Sequence, residues 1–151
     1  MESDYKQHRL EEKNGVKITY AIYSIFSDSL IPDDITRQTG IIPTRSWSKE
    51  PILYLREDGL PITRDKGAWI LSSKGKIDSL YLEEHIKYLL NILEPAGSIF
   101  KSYMNKPDYV VWFQLIWDIL EESGYFYLSR ETTKRMVELC QFTQYSIDKR
   151  Q

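Results

Sequence analysis

Two long segments of the chain place apolar side chains at every second position, which is the spacing of a β-strand. In residues 16–26, one face holds Ile18, Tyr20, Ile22 and Phe26, and the other holds Thr19, Ala21, Tyr23 and Ile25. In residues 108–120, one face holds Tyr109, Val111, Phe113, Leu115 and Trp117, and the other holds Val110, Trp112, Gln114, Ile116 and Asp118. Because the second segment is long and apolar on both faces, we predict that it is a central strand.

Four shorter segments also have strand character: residues 52–55, 67–75, 125–129 and 142–147. The first lies inside a proline-containing connection, residues 48–67, and is predicted to be an edge strand within partly irregular structure. In the second, Trp69 and Leu71 share one face, and Gly75 marks the end of the segment.

Residues 78–95 show the clearest helical repeat of the chain, with an apolar stripe formed by Leu82, Ile86, Leu89, Leu90 and Leu93. Asp78 or Ser79 is predicted to cap the start of this helix, and Pro95 to end it. A stripe of this width needs an apolar surface to cover it. We therefore predict that the helix packs across the sheet.

Three shorter helices are predicted from the residues at their ends. Residues 32–39 begin with a proline and two aspartates, which suit the first turn, and Gly40 can adopt the left-handed conformation that stops a helix. A second short helix is predicted over residues 96–104. Ser129 is predicted to cap a third, which runs to about residue 139.

The order of these elements predicts an α+β fold. We expect a single domain over residues 16–151, with a largely antiparallel sheet and two to four helices mainly on one face. Residues 1–15 are polar and charged and end in an Asn-Gly pair, so they are predicted to form a flexible N-terminal arm.

Composition excludes several classes of function. The chain has 151 residues, a formal net charge of −2 and one cysteine. Without a basic stripe, a nucleic-acid partner is not expected, and a single cysteine closes no internal disulfide. No apolar run is long enough to span a membrane and no secretory signal precedes the fold, so we predict a cytoplasmic protein without a membrane role.

The sequence contains no recognisable set of catalytic residues. Two histidines and one cysteine, far apart in the chain, do not make a usual metal site, and no glycine-rich phosphate loop is present. We predict no metal and no cofactor. His85 is the only candidate base within the fold, and its place on the long helix favours a partly buried histidine bonded to a neighbour. Cys140 is interpreted as a small core residue, although a chemical role for either side chain stays open.

Aromatic residues are unusually frequent, with 11 Tyr, 5 Phe and 4 Trp, and they suggest two binding surfaces. The first is the sheet face away from the helices, where we place Tyr23, Trp112, Gln114 and Asp118. The second is the corner after Gly40, formed by Thr44, Arg45 and Trp47. Two structural alternatives stay open: residues 48–67 fold over the sheet face, or Trp47 covers the end of the core.

Four quoted stretches resemble a known family. DDITRQTGIIPTRSW, GAWILSS, LEEHIKYLLNILEP and FYLSRETTKRMVELCQFTQYSID are similar to the bacterial family of domains of unknown function numbered forty-two seventy-nine. The resemblance extends from Tyr20 onward. It implies a small cytosolic bacterial protein, and some members are encoded beside toxins as candidate immunity proteins.

These observations favour a noncatalytic protein-binding module, most concretely an immunity protein that neutralises a cognate bacterial toxin. Acidic residues around such an interface would steer a basic toxin toward it. The alternative is an enzyme or small-ligand-binding protein with a pocket between the corner and the long helix, using Arg45 and His85. A homodimer is left open.

Overall fold

A computed structural model describes residues 16–55, 61–119 and 126–149. The predicted arm, residues 1–15, lies outside the described residues. The strands are β1 (Val16–Ser27), β2 (Arg45–Trp47), β3 (Glu50–Leu55), β4 (Pro61–Arg64), β5 (Gly67–Ser72), β6 (Val110–Ile119) and β7 (Phe142–Lys149). The helices are α1 (Pro32–Thr39), α2 (Leu82–Leu93), α3 (Gly97–Met104) and α4 (Arg130–Val137), with a 3-10 turn at Glu94–Ala96.

Five of the strands form one mixed sheet in the order β2-β5-β1-β6-β7. Strand β1 is central and pairs antiparallel with β5 and β6, whereas β7 runs parallel to β6. A parallel pair needs a crossover connection, and α4 lies in the connection between β6 and β7. The predicted α+β fold with a largely antiparallel sheet is therefore confirmed.

The hydrophobic core lies between one sheet face and the helices. The sheet contributes Ala21, Tyr23, Ile25, Trp69, Leu71, Val111, Phe113 and Leu115 to it. All five residues of the predicted α2 stripe are buried in the same cluster, which also contains Ile35 of α1, Phe100 of α3 and Met136 of α4. The prediction that Trp69 and Leu89 share one core is confirmed.

Tyr23 does not lie where the sequence analysis placed it. The side chain is completely buried on the helix side, and its hydroxyl donates to the backbone oxygen of Leu139 at 2.7 Å. Its ring packs against Phe100 and Phe113, with centroids 5.3 and 5.0 Å away. In the sheet, Ser24 and not Tyr23 is the partner of Trp112. The prediction that Tyr23 shares an exposed face with Trp112 is wrong.

Three local predictions also differ from the structure. The connection predicted to be partly irregular contains a separate two-stranded sheet, in which β3 pairs with β4. Residues 126–129, predicted to belong to a strand, form none and lead directly into α4. Helix α2 is preceded by Tyr81 without a side-chain cap, so neither Asp78 nor Ser79 caps it.

The ends of α1 and α4 are as predicted. Gly40 has a φ of 72° and donates its N–H to the oxygen of Thr36, which closes α1. The Ser129 side chain accepts a bond from the N–H of Thr132 and caps α4. Among the described helices, none combines the length and the apolar character required to cross a membrane.

Candidate binding surface

The sheet face opposite the helices, called here the open face, carries the side chains of alternate residues from each strand. Cross-strand register identifies them, because directly paired residues point to the same side of a sheet. Phe26 pairs with Ala68, Ala68 with Trp47, and Trp112 with Phe142. These pairs place one large ring from each of four strands on the open face.

The four rings form a continuous line, called here the aromatic row and consisting of Trp47, Phe26, Trp112 and Phe142. Phe26 stacks on Trp112 with centroids 4.8 Å apart, and Trp112 stacks on Phe142 at 5.5 Å. Trp47 meets Phe26 edge to face at 6.2 Å. The first three are partly buried and Phe142 is 48% exposed. The row thus presents ring surface from the edge strand β2 to the opposite edge β7.

Two arginines flank the first ring of the aromatic row. The Cζ atom of Arg64 lies 4.6 Å from the centroid of Trp47, and that of Arg45 lies 5.9 Å from it. The Trp47 indole Nε1–H donates to the backbone oxygen of Lys66 at 3.0 Å, which fixes the ring in place. Within the described part of the chain, neither arginine forms a salt bridge.

The other end of the open face is less accessible. Gln114 is partly buried, and its amide donates to the hydroxyl of Ser146 on the adjacent strand at 3.3 Å. Asp118 is only 4% exposed. Lys74 lies over the ring of Tyr20, with its Nζ 5.0 Å from the centroid. A cation above a ring therefore occurs near both ends of the face.

The corner at Thr44 extends the sheet. The N–H of Thr44 donates to the oxygen of Ile70 at 2.7 Å, and its hydroxyl accepts from the N–H of Ser72 at 2.9 Å. These bonds continue the pairing of β2 with β5. Arg45 and Trp47 follow in β2 and share the open face with Trp112, so the two surfaces predicted from the sequence form one.

Three contributors to this surface were not among the predicted site residues: Phe26, Arg64 and Phe142. Each lies at the end of a strand, and the alternation within β1 had already assigned Phe26 to the face of Tyr20 and Ile22. Only the register between strands shows that Phe26 and Phe142 contact Trp112 from both sides.

His85 belongs to a buried hydrogen-bond network at the start of α2. Its Nε2 lies 2.7 Å from the carbonyl oxygen of Ser79, which accepts only, so Nε2 bears the proton. Nδ1 then accepts from the hydroxyl of Ser73 at 2.7 Å, and that hydroxyl accepts from the N–H of Ala21. Desolvation lowers the pKa of His85, so the imidazole is neutral near pH 7. The prediction of a hydrogen-bonded histidine is confirmed, but the side chain is almost completely buried and not partly buried.

This network is closed to solvent. Ser73 and His85 have the distance of a nucleophile and its base, but they are 0% and 2% exposed. Cys140 is also buried, and burial raises the pKa of its thiol, which keeps it protonated. Among the described residues, no group of three or more His, Cys, Asp or Glu side chains is placed to bind a metal ion.

A cleft of about 460 Å³ lies between the corner after α1 and helix α2, in the region of the predicted alternative pocket. Its lining residues include Ile42, Lys76, Tyr88 and Ile92. Neither Arg45 nor His85 lines this cleft, and His85 is used in the network described above. The structure therefore does not bring together the two polar groups on which the alternative depended.

The sequence of the chain matches the model of one known protein family. The family model of the domain of unknown function DUF4279 matches residues 17–142. The chain belongs to this family. The match confirms the resemblance drawn from the sequence and covers all helices and the strands β2 to β6. Neither the curated proteins nor the solved structures gave a match to this DUF4279 chain.

Proposed function

We propose that this protein is a noncatalytic protein-binding module and that the open face is its docking surface. The aromatic row is the main support for this proposal. Trp and Phe rings are frequent anchors of protein interfaces, because they bury a large apolar area at a small cost in side-chain entropy. A line of rings across a sheet, with the described helices on the other side, offers such anchors on a rigid base.

The geometry of the polar groups favours binding over chemistry. A catalytic base must reach a substrate, whereas both ring nitrogens of His85 are already bonded inside the fold. Cys140 has a raised pKa and donates its thiol to the oxygen of Met136. Binding by the accessible aromatic and arginine side chains requires none of these buried groups.

The specific role that we propose is that of a bacterial immunity protein acting in the cytoplasm, where it binds and blocks a cognate toxin. Family membership itself assigns no activity, since the family is one of unknown function. The proposal is supported by the resemblance to a family in which some members are candidate immunity proteins, and by the aromatic docking surface. An immunity protein acts by occlusion and needs a stable interface, not a catalytic site.

The test is co-expression with the product of the adjacent gene. Expressed alone, that product should arrest growth of a host strain, and co-expression with this protein should restore growth. The two purified proteins should also form a complex. An adjacent product that is harmless, or whose toxicity is unchanged in the presence of this protein, would refute the immunity role.

A further inference from the structure

The accessible charge on the open face differs in sign from the net charge of the chain. The face carries Arg45 and Arg64 at one end and Lys74 near the other. Asp118, which is 4% exposed, also lies there, and Asp148 of β7 is its register partner, so both stand at the end away from Trp47. Near Trp47, the exposed Glu50 pairs with Arg64 in the β3–β4 hairpin. At its Trp47 end the described open face thus carries two arginines and one exposed carboxylate, although the whole chain has a formal charge of −2.

We infer that the open face binds an acidic segment of a partner protein, with partner carboxylates bound by Arg45 and Arg64 beside Trp47. This inference rests on the proposed docking function and specifies the chemistry of the partner. It replaces the expectation of a basic partner, because short-range contacts depend on the charges at the interface and not on the small total charge.

The arrangement around Trp47 suits a carboxylate in particular. A guanidinium binds a carboxylate through paired N–H donors, and the contact between an arginine and a ring leaves the N–H edge free for such bonds. Both guanidinium groups lie within 5.9 Å of the same ring centroid, so both place positive charge beside Trp47. Neither group has to leave a salt bridge with another described residue in order to bind a carboxylate.

The aromatic row indicates which other residues the acidic segment of the partner contains. Phe26, Trp112 and Phe142 continue the surface away from Trp47, and because they stack on one another they offer ring edges to apolar side chains. Stacked rings also suit nucleic-acid bases, but affinity for a phosphate backbone needs a larger cluster of basic residues than the three cations here. An extended peptide with alternating acidic and apolar residues matches both features.

Three probes test the inference in ¹⁵N-edited spectra of the full chain. Two are peptides of about ten residues, the length of a long strand, in which valine alternates with glutamate or with lysine. The third is a single-stranded oligouridylate of about ten nucleotides. The four tryptophans provide site-specific indole N–H signals: Trp47 and Trp112 lie on the open face, and Trp69 and Trp117 on the helix side.

The glutamate peptide should shift the indole signals of Trp47 and Trp112 and leave those of Trp69 and Trp117 in place. It should bind at least about ten-fold more tightly than the lysine peptide, and added salt should lower its affinity. The double variant Arg45→Gln with Arg64→Gln should lower its affinity at least about five-fold. Arg130→Gln removes an exposed arginine on α4 and serves as the matched control, with unchanged affinity expected.

The other outcomes separate this inference from the proposed function. If both peptides shift the indole signal of Trp112 and bind with equal affinity, the acidic-partner inference is wrong and the docking face remains. The same conclusion follows if the double variant binds the glutamate peptide as tightly as the wild-type protein does. If neither peptide shifts the indole signal of Trp47 or Trp112, the inference and the proposed docking face are both wrong. If oligouridylate binds more tightly than the glutamate peptide, nucleic-acid binding replaces both.

Discussion

Among single residues, Gly40 shows how one backbone angle determines a substitution's cost. Its φ of 72° lies in the left-handed region, and an added Cβ would meet no atom within 4 Å. Gly40→Val should therefore destabilise the protein through backbone strain and not through a clash, by about 1–2 kcal/mol or more. Urea unfolding measures this difference. Gly40→Asn is the control, because asparagine tolerates this conformation, and equal losses for the two variants would contradict the strain argument.

His85 gives the protein a pH dependence whose sign follows from its environment. Burial lowers the pKa of the imidazole below the unfolded value of about 6.5, so the unfolded chain binds the proton more readily. The stabilising contribution is present above the unfolded pKa and is lost as the pH falls through that value toward the folded pKa.

Between pH 7.5 and 5.5, the urea midpoint of the wild-type protein should consequently decrease. His85→Gln should show a smaller decrease over the same interval, since it removes this titration while His8 is unchanged in both proteins. An identical decrease in the two proteins would assign the pH dependence to other groups, and a His85 pKa above 6.5 by NMR titration would reverse the predicted sign.

At the scale of elements, the packing of α2 on the sheet supplies much of the core. Leu89 is fully buried in the same cluster as Trp69, so Leu89→Ala removes apolar volume at a site where the neighbours are fixed. We expect a loss of about 2–5 kcal/mol in the free energy of unfolding. Lys87→Ala, at an exposed position of the same helix, should change it by less than about 0.5 kcal/mol. A comparable effect of both variants would show that α2 does not pack as described.

Elements with strong local signals could be predicted from the sequence. The 3.6-residue stripe identified α2, the Pro32 and Gly40 signals bounded α1, and Ser129 marked the start of α4. Each of these signals depends on residues that are neighbours in the chain. The apolar residues 52–55 indicated a strand, which lies within β3, but its partner β4 had no such signal, because it is short and the prolines in the connection suggested irregular structure.

The face assignment of β1 could not be predicted because both of its faces are apolar. Alternation separates Tyr23 from Tyr20, but it does not show which of them meets the helices. That choice depends on long-range pairing: the register with β6 places Tyr23 beside Phe113, which faces the core. The same lack of register information left Phe26 and Phe142 out of the predicted site.

For the whole molecule, the candidate site exists only after the sheet has assembled. Trp47 and Trp112 are separated by more than sixty positions in sequence, and the path between them crosses β5 and β1. The sequence indicated two surfaces because the corner and the central strand have separate local signals. The sheet order joins them, since β2 is the edge strand that brings Arg45 and Trp47 onto the open face.

The final prediction separates binding on this face from chemistry at His85. Trp112 stacks on both Phe26 and Phe142, so Trp112→Ala interrupts the aromatic row at its centre. Arg45→Glu reverses the charge beside Trp47. Each variant should weaken binding of the partner, measured with the cognate toxin or the glutamate peptide, by more than about 1 kcal/mol. His85→Gln should leave that affinity nearly unchanged, because the imidazole is buried on the helix side.

Thermal unfolding of every variant shows whether a loss of binding reflects a loss of fold. The opposite pattern would show that the protein is an enzyme and not a binding module. In that case His85→Gln would fold but lose a measured activity, whereas Trp112→Ala and Arg45→Glu would function normally. The Ser73–His85 contact is the only described pair that places a nucleophile and a base 2.7 Å apart. It lies on the helix side of the sheet, opposite the two surface substitutions, so the variants test the two sides separately.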